Sequence, residues 1–197
     1  MSRSIHWWTA PMSAATFAGT VGTLSRLGIT DTHPETGRAA LIDDEGEPVR
    51  IEREALRARQ AEILGAGAAA AEQLSFQWWP EGTASAAYGE VRRLPGELRY
   101  WMFALDGTSD EQQAHVVRTT LGLAVSALHI TRCYAVDLTG FAEDLDLHAL
   151  VAEGHGASAY PWDLCFAPDK HRRKHADFTL RVTNAALGRQ IGDGGLA

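Results

Sequence analysis

Apolar and polar residues nearly alternate along S-I-H-W-W-T at the start of the chain and again along L-S-F-Q-W-W, while E-L-R-Y-W-M-F-A-L is apolar on both faces, as in a central strand covered on both sides. Alternation marks a β-strand with one covered face, because successive side chains leave opposite sides of the pleat. This pattern predicts strands over Ser4 to Thr9, Leu74 to Trp79, Ala86 to Arg93 and Glu97 to Leu105, the last two joined by the turn Leu94-Pro95-Gly96-Glu97. Two short apolar runs around the acidic turn at Gly46 read as a hairpin, and Cys133 to Leu138 reads as another strand. Trp162, Leu164 and Phe166 alternate with polar or small neighbours, as do Phe178, Leu180 and Val182, which predicts two further strands joined by a basic loop.

Helical spacing predicts the rest. Phe17, Val21 and Leu24, with Leu27 beyond, fall on one side of a helix that Pro11 opens and Gly28 closes in a left-handed cap. Glu52 to Leu64 is rich in helix formers. Ser109 with Gln112 has the form of a capping box, starting a helix that runs to about Leu128 with Val117, Leu121, Ala124 and Leu128 on its buried side. A further short helix is expected after Asp144. Three consecutive strands break the regular alternation that a doubly wound sheet requires. The expected class is therefore α+β: a mainly antiparallel sheet with helices packed against it, in one domain over residues 1–197, with residues 139–197 as a C-terminal elaboration.

The tryptophan doublets sharpen this picture. Pleat geometry sends Trp7 and Trp78 to the faces that carry Ile5 and Phe76. Trp8 and Trp79 then emerge on the opposite faces, beside His6 and Gln77. Two readings follow. Other chain covers these outer rings, or Trp8, Trp79, His6 and Gln77 form a partly open aromatic surface for a partner, since exposed aromatic patches mark binding sites.

Charge narrows the partner. A formal net charge of −7 over 197 residues argues against general affinity for nucleic acid or acidic membranes and suits a basic protein partner. No stretch supplies the roughly 18 apolar residues of a membrane span, and the N-terminus M-S-R-S-I-H-W-W lacks the apolar run of a signal peptide. The expected location is cytoplasmic. Cys133 and Cys165 have no paired spacing and read as reduced thiols.

No cofactor or metal motif emerges. The G-A-G-A-A-A-A tract does not follow a strand, so it is not a dinucleotide fingerprint. H-R-R-K-H sets His171 and His175 four apart, but the intervening cations would repel a metal ion; Lys170, His171, Arg172 and Arg173 read instead as a basic, anion-binding loop. Asp137 with His148 and His155 forms an alternative polar cluster. The expected function is a non-catalytic interaction protein, immunity-like or regulatory, that binds another macromolecule through an acidic rim and sheet-borne aromatics. The rival is a small-molecule enzyme with a pocket lined by His6, Asp137, His148 and His155 and a basic anion clamp.

Overall fold

The computed structural model describes residues 3–140, 151, 162–168, 178–185 and 187–189. The chain opens with β1 (Ser4–Thr9), followed by α1 (Ala14–Arg26) and a short β2 (Ile29–Thr30). The hairpin β3 (Ala39–Ile42) and β4 (Pro48–Ile51) leads into α2 (Arg53–Leu64). A meander of β5 (Gln73–Pro80), β6 (Ala87–Leu94) and β7 (Leu98–Ala104) precedes α3 (Asp110–Ser126). Then come β8 (Thr131–Asp137), β9 (Leu164–Pro168) and β10 (Phe178–Val182).

The described strands form one ten-stranded sheet in the order β10-β9-β8-β1-β7-β6-β5-β3-β4, with β2 on the same edge of β5 as β3. Every pairing is antiparallel, so the α+β expectation holds. The first strand enters the middle of the sheet, between β7 and β8, and so both of its faces must be covered.

Local signals account for the helices. Ser13 caps α1, its Oγ accepting from the Thr16 amide at 3.1 Å. Pro11 therefore lies ahead of the helix rather than in its first turn, because a side-chain oxygen serves the free amides of a helix start directly. Gly28 does take the left-handed conformation expected of it, at φ 78°. The Ser109–Gln112 capping box closes in both directions at the start of α3, at 3.3 and 2.9 Å. Arg99, buried on β7, donates to the carbonyl of Gly65 at 3.1 and 2.9 Å and so satisfies the C-terminal end of α2.

Helices α1, α2 and α3 contribute to one large core on a single side of the sheet. Phe17, Val21 and Leu24 of α1, Leu56 and Ile63 of α2, and Val117 and Leu121 of α3 meet Ile5, Trp7, Phe76, Trp78, Val91, Trp101, Phe103 and Tyr134 there. Gly89 makes room for two of these rings: a Cβ at this position would lie 2.8 Å from the Phe76 ring and 3.1 Å from Trp78. A second, smaller cluster occupies the opposite side and contains Trp8, Leu98, Tyr100, Cys133, Ala135, Trp162 and Cys165. Trp162 departs from its expected face. It precedes β9 instead of alternating within it, and packs opposite Leu164 and Phe166.

Candidate interaction surface

The side of the sheet away from α1–α3 is where both the expected aromatic surface and most of the polar chemistry lie. Strand registers order it into two rows. One runs Ser75, Glu90, Met102, His6, Ala135, Cys165, Arg181 across seven strands. The neighbouring row runs Gln73, Arg92, Tyr100, Trp8, Cys133.

The pleat distributes the doublets as expected, but the outer rings are not open. Trp8 is 0% exposed and Trp79 3%. Trp8 packs against Tyr100 at 5.4 Å and His6 at 5.7 Å between ring centroids, while Trp162 covers His6 at 5.6 Å. Trp79 pairs with Thr30 of β2 and meets the His33 ring edge-on at 5.7 Å. The expectation of a partly open surface built on these two indoles is therefore corrected. A position in mid-sheet covers Trp8, and the segment after α1 folds back along β5 to cover Trp79. His6 is also buried, and Gln77 remains half-exposed.

The polar residues of this face are joined to one another. Ser4 Oγ and His6 Nε2 share a hydrogen bond of 2.8 Å, and His6 Nδ1 and the Tyr100 hydroxyl share one of 2.7 Å. Farther along, Glu90 is buried yet accepts from Arg92, from the Tyr88 hydroxyl at 3.0 Å and from Gln73 Nε2 at 3.2 Å. Ser75 meets Tyr88 at 2.7 Å. A carboxylate withdrawn from water needs this compensation, and the guanidinium of Arg92 supplies the opposite charge. Burial, reinforced by the Glu90 carboxylate, holds the Tyr100 phenol well above its ordinary range. Tyr88 moves the same way, burial again being the main cause.

The two halves of this face differ in exposure. Around β1, β8 and β9 it is closed. Along β5–β6–β7, Gln77, Tyr88, Arg92 and Met102 are half-exposed. The acidic turn adjoins this open part: Asp43 follows Ile42, which pairs with Ser75, itself paired with Glu90. Within the turn, Asp43 Oδ1 accepts from the amides of Glu45 and Glu47 at 3.2 and 2.7 Å, leaving Asp44, Glu45 and Glu47 to project charge.

The remaining expected sites fare differently. Asp137 is fully buried, and one of its oxygens accepts from Thr139 N, Thr139 Oγ1 and Gly140 N at 2.8–3.0 Å. Its carboxylate thus organises the turn that ends β8. A cleft of about 310 Å³ lies nearby, lined by Arg3, Gln113, Thr139, Asp163 and Asn184 among others. Asp163 is engaged there with the Leu138 amide at 2.7 Å and with Asn184 Nδ2 at 3.1 Å. His148 and His155, and the basic stretch Lys170, His171, Arg172 and Arg173, lie outside the described residues. Among the described residues no cluster of three or more His, Cys, Asp or Glu forms a metal site, and no helix is long and apolar enough to cross a membrane.

The residues that build this face and were not singled out from the sequence are Ser4, Tyr88, Glu90, Arg92 and Tyr100. The signal was present in Y-G-E-V-R and S-I-H, where a period of two puts the polar members on one face. Comparison of the chain with protein-family models, curated proteins and solved structures finds no match.

Proposed function

We propose that this chain is a non-catalytic interaction protein that binds a basic protein partner through the open, β5–β6–β7 part of its second sheet face. One observation carries the reading: a half-exposed group of Gln77, Tyr88, Arg92 and Met102, of which Tyr88 and Arg92 are held in place by hydrogen bonds to Glu90, lies beside the acidic turn of residues 43–47. Tyr, Arg and Met are enriched in protein interfaces. Side chains already fixed before contact lose less freedom on binding, which leaves more of the contact energy as affinity. The acidic turn and the net charge of −7 then favour a partner of opposite sign and speed its encounter. The contact has moved from the indoles expected from sequence to the tyrosine and arginine next to them. A neutralising or regulatory role is the class of function that suits such a surface.

The enzyme reading is the weaker one on the described residues. Both ring nitrogens of His6 are engaged with Ser4 and Tyr100, and Asp137 is occupied by its own turn.

The test is affinity capture from native lysate at low and high salt, with the unaltered chain, with Tyr88→Ala, and with Asp44, Glu45 and Glu47 all replaced by Lys. Circular dichroism checks that each variant is folded. The expected result is a stoichiometric protein that is lost with either variant and released by salt. A partner retained by both variants, or recovery of a bound metabolite alone, overturns the proposal.

A further inference from the structure

We propose that Cys133 and Cys165 are a peroxide-responsive pair that forms a disulfide across β8 and β9, clamping the β9–β10 hairpin to the body of the sheet. The two residues are 32 positions apart in the chain, so sequence spacing hid them. The fold places them on adjacent antiparallel strands, on the same face, and in the same buried cluster with Trp8 and Trp162. Cys165 lies opposite Ala135, and Cys133 is therefore its diagonal neighbour two residues along β8.

Diagonal neighbours start about 7–8 Å apart, whereas bridged cysteines have Cβ atoms about 3.5–4.5 Å apart. Two features close that gap. The thiols already reach one another, Cys133 hydrogen-bonding to Cys165. Among the described residues β8 and β9 pair at three positions and only β10 lies beyond them, so few backbone pairings oppose the shear that brings the two cysteines together.

The surroundings also assign the roles. The Cys133 thiol donates to Cys165, and Arg181 stands opposite Cys165 on β10. These effects hold the Cys165 thiol below its ordinary range despite its burial, which favours the thiolate that attacks. Cys165 displaces hydroxide from hydrogen peroxide and becomes a sulfenic acid. Cys133 then attacks that sulfur as its S–H proton passes to the departing oxygen; the S–O bond breaks, water leaves and the disulfide forms. Peroxide accepts the two electrons that the thiols lose. Both thiols are buried, at 3% and 2% exposure, which excludes bulky disulfide oxidants and leaves a two-heavy-atom peroxide as the reagent.

The experiment doses the reduced, purified chain with hydrogen peroxide, quenches with catalase, unfolds and alkylates, and reads intact mass and peptide maps. The expected product has lost two hydrogens, carries no alkyl group and yields a peptide pair joined through Cys133 and Cys165. It forms faster in the folded chain than in urea. Cys133→Ser should stop at a sulfenic acid on Cys165 that dimedone traps, and Cys165→Ser should leave Cys133 unmodified at the same dose. Two alkylatable thiols after treatment, crosslinks only between chains, or equal rates in the folded chain and in urea would each overturn the proposal. The measurements on the unaltered chain stand even if a Ser variant fails to fold.

Discussion

The two faces of the sheet are both closed over the central strands, but by different means. Under α1–α3, Trp7, Trp101, Phe103, Val91 and Tyr134 meet aliphatic residues of the helices, so that closure is mainly apolar area removed from water. On the other face, Trp8 and Trp162 share the space with His6, Tyr100 and Glu90, each of them hydrogen-bonded. The first face depends on the fit of apolar shapes, where cavities and overpacking both cost stability. The second depends on every polar partner being present, because a buried group that loses its partner keeps the cost of its lost hydration. This contrast makes the second face the more easily altered, and the more informative to mutate.

The doublet Trp7-Trp8 places one indole in each environment, and both are buried to within 1%. Trp7→Ala and Trp8→Ala should each lower unfolding free energy by about 3–5 kcal/mol, the range for removing a buried large aromatic side chain. Urea denaturation of the two variants checks this directly. A loss below about 1 kcal/mol for Trp8→Ala, against the range for a buried Trp, would show that the second face is only loosely packed in solution. Gly89→Ala tests the helix-covered face alone. Its new Cβ would meet the Phe76 ring at 2.8 Å, so overpacking should cost about 1–3 kcal/mol in the same measurement.

How much of this was legible in advance depended on whether the deciding physics was local. The strand at Ser4–Thr9 and the capping box at Ser109 were readable because pleat alternation and side-chain capping act within a few residues. The same period of two assigned Trp8 and Trp79 to the correct faces. It said nothing about what lay over them, since that depends on β1 joining mid-sheet and on β2 returning to β5. Exposure is a property of distant chain. The cysteine contact failed for the same reason: Cys133 and Cys165 become neighbours through a strand register. Tyr88, Glu90 and Arg92 differ from these, because their spacing of two is local and puts all three on one face within Y-G-E-V-R.

Tyrosine titration sharpens the comparison further. Tyr100 on the second face and Tyr134 on the helix-covered face are both held neutral by burial, above the ordinary value of 10.0. Their contribution to stability is full below pH 10, the unfolded value. It declines as pH rises above that, because the unfolded chain ionises first. Stability should therefore fall above about pH 10, less steeply in Tyr100→Phe and in Tyr134→Phe than in the unaltered chain. At neutral pH, Tyr100→Phe removes the partner of His6 Nδ1 and should cost about 1–2 kcal/mol, near the range for a buried group left unpaired. Tyr134 shares its hydroxyl with Thr120 at 2.8 Å, so Tyr134→Phe should cost a similar amount. A much smaller cost for Tyr100→Phe would mean that water reaches His6, and that the closed half of the second face opens in solution.

The smallest expected effect on stability comes from the acidic turn, and that is what makes the turn useful. Asp44, Glu45 and Glu47 lie on the exposed surface, while the Asp43 carboxylate that shapes the turn is left untouched. Replacing the three with Lys should change unfolding free energy by no more than about 0.5 kcal/mol, as surface substitutions away from special features do. Binding should respond in the opposite proportion. The encounter with a basic partner depends on the long-range field of this turn, so the association rate should fall and its salt dependence should weaken or reverse. Stopped-flow association at several ionic strengths, with the captured partner, reads both quantities. If the triple variant loses stability but keeps its association rate, the turn belongs to the fold and the second face binds without it.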